Sequence, residues 1–213
     1  YLRILRYLRF FLNYSKQPHN SEIIKKIKTN IEGVSNLSKE RLFDELKKIS
    51  KLSTLEKLSK DKFCIELIVL IFPELKNIKI FSKLDENKKE ILKNSDFIFF
   101  LSLMIIDETD NPDYFFYKYN VSKKDQKRIK IIDNFYKKQV NIKIFSESEM
   151  NKIFYFCGKQ AIIDILNFKI IKSKKININL LKLIDLFKKK EIPKMPIDAN
   201  KLMTKYKIPE SKQ

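Results

Sequence analysis

Three features of the 213-residue sequence predict an all-α fold. Apolar residues recur at spacings of three and four rather than two, only two glycines and six prolines punctuate the chain, and FIFFLSLMII (97–106) is its most apolar run. A bilayer crossing needs about 20 apolar residues, so that run reads as a buried core helix. With 44% hydrophobic residues the chain can bury a sizeable core.

The first stretch, YLRILRYLRFFLNYS, is predicted as an amphipathic helix. At 3.6 residues per turn Ile4, Leu5, Leu8, Phe11 and Leu12 share one face and Arg3, Arg6 and Arg9 the opposite one. KQPHNS follows as a loop, and Ser21 or Asn20 caps a helix expected to end at Gly33 in a left-handed cap. Ser38 is expected to cap the next helix. Leu37 and Leu42 can staple its start, Glu40 sits in its first turn, and Arg41 and Glu45 are one turn apart and can pair. From Ser53 to Pro73 the pattern gives one long or two short helices with Ile65, Leu67, Ile68, Val69, Leu70 and Ile71 as core. KNIKIFSKLDENKK reads as loop-rich, and Ser95 is the expected cap of the 97–106 helix. The acids Asp107, Glu108, Asp110 and Asp113 flank Pro112 and read as a capping turn rather than a metal site.

Ser122 should cap a basic helix carrying Lys123, Lys124, Lys127, Arg128 and Lys130, and Gly158 should break a later helix, in a packing role rather than a phosphate loop. Lysines thicken after Lys172. Overall, 45 Lys and Arg face 26 Asp and Glu, a formal charge of +19 spread along the chain. A folded body so charged attracts polyanions, nucleic acid first. Cys64 and Cys157 sit in apolar helical contexts without Cys-x-x-Cys or Cys/His spacing and read as buried free thiols. That reading, with no cleavage site after the N-terminal stretch, points to a reducing, cytoplasmic location. His19 is the only histidine, which argues against a His-rich metal centre or a His-based hydrolase site, and no metal ligands are assigned.

Two spaced motifs carry a resemblance. Arg3-x-x-Arg6-x-x-Arg9-Phe10 resembles the end of Glu-Asp-x-x-Arg-x-x-Arg-x-x-Arg-Phe, the nucleotide-binding motif of class II tRNA nucleotidyltransferases, the CCA-adding enzymes and bacterial poly(A) polymerases. By this resemblance the Glu and Asp would lie just before Tyr1. Ser38, Glu40, Arg41, Glu45 and Leu46 match the family's Ser-x-Glu-Arg-Ile-x-x-Glu-Leu in register, with Leu42 in place of Ile. Further along, the stretch after Tyr119 is similar to the family's turn before a basic helix, and the Gly158 region to its helix-Gly-Lys-helix junction. Pro196, Ile197, Leu202 and Met203 match a tail motif that Ala199 and Lys201 depart from.

The resemblance implies a neck (1–95), body (96–172) and RNA-binding tail (173–213) of an elongated helical array lacking the catalytic head. The whole protein would transfer nucleotides from CTP and ATP, or ATP alone, to the 3′ end of tRNA or another RNA. Head carboxylates would hold two Mg²⁺ ions. This chain alone would be inactive and contain no catalytic residue. Arg3, Arg6 and Arg9 would bind the incoming nucleotide. Arg3 would read its base edge, and Arg6 and Arg9 would either line the phosphate and RNA side or pair with neck acids. Ser38, Glu40, Arg41 and Glu45 would brace the neck. Lys123, Lys124, Lys127, Arg128, Lys190, Lys194, Lys201 and Lys205 would contact RNA. The alternative is a non-catalytic helical RNA-binding module, or a basic scaffold for an acidic protein.

Overall fold

The computed structural model describes residues 1–139, 147–173, 177–191 and 199–207, and among these there is no strand. The helices are α1 (Leu2–Tyr14), α2 (Ser21–Asn30), α3 (Lys39–Ile49), α4 (Leu52–Leu58), α5 (Lys62–Ile71), α6 (Glu86–Lys93), α7 (Phe97–Ile105), α8 (Asn111–Tyr119), α9 (Lys123–Gln139), α10 (Glu147–Cys157), α11 (Lys159–Lys172), α12 (Ile178–Lys189) and α13 (Ala199–Tyr206). Segments Ile31–Asn36 and Ile78–Lys83 are 3-10 helices.

The apolar run forms α7, and every residue from Phe99 to Ile106 is buried, including Ser102, whose hydroxyl donates to the Phe99 carbonyl at 2.7 Å. A helix apolar all round must be covered on all sides. Here α8, α9 and the 78–83 segment pack on it. Beside this centre α1 lies on α3 and α4, and α3 on α8. One cluster of buried side chains runs from Ile4 of α1 through α7 to Ile165, Phe168 and Ile171 of α11, so it crosses residue 95 without a break. A second joins Met150 and Phe154 of α10, Ile162, Leu166 and Ile170 of α11, and Leu180, Ile184 and Phe187 of α12. Helix α11 therefore serves two cores from opposite faces. As expected from the periodicity, Leu5, Leu8, Leu42, Leu46 and Phe99 are all buried.

Some local alternatives are resolved and some expectations corrected. Asn20, not Ser21, caps α2, its Oδ1 accepting from the backbone N–H of Glu22 at 2.8 Å. Helix α2 stops at Asn30, and Gly33 lies inside the following 3-10 helix without a positive φ. The Tyr1 ring lies over it, in the space a side chain would take. The 53–73 segment is two helices, split where Asp61 caps α5 through Cys64 N–H at 2.9 Å. Leu67 and Ile68 are buried, whereas Ile65, Val69 and Ile71 are half-buried and Leu70 is 64% exposed. The stretch expected as loop contains the 78–83 segment and α6, and Asp96, not Ser95, caps α7 through Phe99 N–H. Ser122 does cap α9, in a reciprocal bond with Asp125. Gly158 breaks the chain between α10 and α11, but no atom lies within 4 Å of a Cβ built there. Its φ of 86°, not packing, calls for glycine. Cys64 is buried and the Asp61 carboxylate lies beside it; burial chiefly pushes its thiol far up. Cys157 is exposed, against expectation.

Candidate nucleotide and RNA interface

The α1 sequence places Ile4, Leu5, Leu8 and Leu12 in the core, and this fixes the opposite face outward. Arg3 and Arg6 are exposed there, and among the described residues no carboxylate pairs with either. Phe10 and Tyr14, one and two turns beyond Arg6, share that face at 53% and 75% exposure, their ring centroids 5.8 Å apart. Arg9 turns inward. Its Nη1 donates to Glu45 Oε2 at 2.9 Å, its guanidinium carbon lies 5.1 Å from the Phe10 ring centre, and its carbonyl accepts from Asn13 Nδ2. Of the two arginines, Arg9 pairs with an acid, Glu45, and Arg6 stays outward.

Glu45, with 4% of its side chain exposed, also accepts from Lys48 at 3.0 Å. The expected Arg41–Glu45 pair does not form; Arg41 points to solvent, because Glu45 belongs to the buried face of α3 and Arg41 does not. Ser38 occupies the cap position of α3 but its hydroxyl makes no capping bond. Glu40 accepts from Asn120 Nδ2 at 3.4 Å across 80 residues, linking the start of α3 to the left-handed residue that ends α8. Its own backbone N–H and the Asn120 amide hold its carboxyl below the usual range. Glu45 thus ties α3 to α1 through Arg9, and Glu40 ties it to the end of α8 through Asn120.

On α9, Lys123, Lys124 and Lys127 face solvent. Arg128 does not serve as a surface contact. Its Nε donates to Asp164 Oδ2 at 2.7 Å, its Nη2 to Asp164 Oδ1 at 3.2 Å, and its Nη1 pairs with Asp96, so it ties α9 to α11 and to the cap of α7. Burial opposes the Arg128 charge, but the two carboxylates outweigh it and raise its pKa. Lys130 is taken up by Asp113 at 2.7 Å. In the tail, Lys190 is also engaged: its Nζ donates to Asn151 Oδ1 at 2.7 Å and lies over Phe154 and Phe187. Lys201 and Lys205 are exposed, and Lys194 lies outside the described residues. The sequence reading missed Phe10 and Tyr14 as an outward pair, although their i, i+4 spacing on the arginine face was the available signal.

The Arg128 cluster has a pH consequence. Burial pushes the Asp96 carboxyl up, but Arg128 and the Phe99 N–H pull it down further, leaving it below its ordinary value. A carboxyl lowered in the folded state stabilises the fold above its unfolded pKa of about 4, and this contribution fades as pH falls below that value. In urea melts between pH 6 and 3, Asp96→Asn is expected to flatten the acid loss of stability relative to the parent chain. An unchanged slope would exclude Asp96 as a contributor.

The chain matches no known protein-family model and no curated protein. Among the described residues no helix is long and apolar enough to cross a membrane.

Proposed function

We propose that the chain is the nucleotide-selecting and RNA-binding part of a template-independent RNA nucleotidyltransferase that adds CCA or A residues to RNA 3′ ends. The observation that carries this reading is the Arg9–Glu45 pair. It joins the arginine motif to the second motif across 36 residues, so the two stretches of the resemblance meet as one unit in space. This leaves Arg3 and Arg6 outward beside two exposed aromatic rings. That combination suits a nucleotide: guanidinium donors can read a base edge or hold phosphate, and an aromatic face can stack on a base for about 1–3 kcal/mol.

Helix α1 carries no acidic residue and so itself offers no carboxylate for Mg²⁺. The chain's share is selection and grip. Lys123, Lys124 and Lys127 on α9, with Lys201 and Lys205 on α13, are exposed and offer cations to RNA phosphates.

The test titrates the chain with a fluorescent ATP analogue and separately with labelled tRNA, each at two salt concentrations. Arg3→Ala is expected to weaken nucleotide binding about tenfold or more, the lower range of a lost base-edge contact, and to leave tRNA affinity nearly unchanged, because base contacts specify and phosphate contacts position. Changing Lys123, Lys124 and Lys127 together to glutamine should lower tRNA affinity and its salt dependence. tRNA binding without nucleotide binding, or equal loss of both in Arg3→Ala, would favour the non-catalytic RNA-binding module.

A further inference from the structure

We infer that His19, Asp61 and Cys64 form a zinc site that fastens the loop after α1 to the first turn of α5. Imidazole, carboxylate and thiolate are all ordinary zinc ligands, and their donor atoms converge here: His19 Nε2, an Asp61 oxygen and Cys64 Sγ all lie within 4.8 Å of one another. In a tetrahedral site with bonds of about 2.1 Å to N and O and about 2.3 Å to S, the N···O edge is about 3.4 Å and the N···S edge about 3.6 Å. His19 Nε2 lies 3.1 Å from Asp61 Oδ2 and 3.6 Å from Cys64 Sγ. Small side-chain shifts would admit the ion.

The surroundings favour a metal over a nucleophile. A catalytic cysteine and its orienting acid use opposite nitrogens of the histidine. Here both approach Nε2, and Nδ1 is 2.8 Å from Tyr7 Oη. With the ion on Nε2, Nδ1–H would donate to Tyr7, the outer hydrogen bond that orients a metal-bound imidazole. The ring is already held, stacked on Phe11 at 3.6 Å between centroids and edge-on to Phe63 at 4.9 Å. Asp61 divides its oxygens: Oδ1 accepts the Cys64 N–H at 2.9 Å and preserves the helix cap, while Oδ2 faces His19.

On binding, the Cys64 S–H proton leaves to solvent and a sulfur–zinc bond replaces it. Thiolate and Asp61 together cancel the charge of the dication, so no net charge is buried. Water reaching past Asp61, whose side chain is 29% exposed, would complete the tetrahedron.

The full chain, stripped with chelator, is titrated with Co²⁺ followed by absorption and with Zn²⁺ followed by thermal melting. One equivalent of Co²⁺ should give tetrahedral d–d bands and a thiolate-to-metal charge-transfer band, and Zn²⁺ should raise the melting temperature. Cys64→Ser should abolish the charge-transfer band and Cys157→Ser should retain it. Should Cys64→Ser prove unfolded by circular dichroism, Tyr7→Phe serves in its place, keeping the bands while weakening Zn²⁺ about tenfold or more. Absence of a saturable cobalt spectrum in the parent chain, or a charge-transfer band lost in Cys157→Ser, overturns the inference.

Discussion

Arg128→Met is expected to destabilise the chain by about 3–5 kcal/mol, because it leaves a buried carboxylate without its cation. Asp164 has 3% of its side chain exposed, and after the substitution it would keep, among the described residues, the Gln160 amide at 2.8 Å. A partly buried arginine bonded to two acids is not an ordinary surface pair, which is worth at most about 1 kcal/mol. The decisive comparison is with Arg128→Met/Asp164→Leu. Replacing both partners by apolar groups removes the stranded charge and should recover most of the loss. Urea denaturation measures both variants. A single substitution costing under about 1 kcal/mol would mean that Asp164 finds water instead.

Phe115→Ala should cost about 3–5 kcal/mol, the usual range for emptying a buried aromatic site. Phe115 is fully buried on α8, with the Tyr119 ring 4.6 Å and the Phe43 ring 6.1 Å from its own. Because Phe43 belongs to α3, the loss falls where α3 meets α8. Phe115→Leu keeps most of the volume and should cost markedly less. Equal losses in the two variants would assign the effect to the ring contacts rather than to the cavity.

The particular elements explain what was legible. Helix α7 could be read because a run apolar but for Ser102 needs no partner to announce burial. The buried face of α1 could be read because its period is local. The cap of α7 was misplaced by one residue because Ser95 and Asp96 are both good caps, and only backbone geometry chooses between them. Gly33 reads as a helix end because glycine commonly serves a left-handed turn, but here the chain passes into a 3-10 helix with no positive φ, which the local sequence does not betray.

The same limit governs the site. Arg128 and Lys127 are neighbours on one basic helix, yet only Arg128 meets Asp164, 36 residues away. Whether a cation faces solvent or a buried acid is decided by packing, so charge composition alone could not sort outward lysines from internal ties. His19, Asp61 and Cys64 escaped notice because 42 residues separate the first two. Motif spacing finds ligand sets within one turn or loop, not across three helices.

Helix α11 has a mechanical consequence. With Ile162, Leu166 and Ile170 in one core and Ile165, Phe168 and Ile171 in the other, it cannot rotate about its axis without opening both. A torque applied to α12 therefore reaches α9 undiminished by any slip plane between them. At its start Gly158, with a φ of 86° and open space where a side chain would sit, sets the angle at which α10 meets α11.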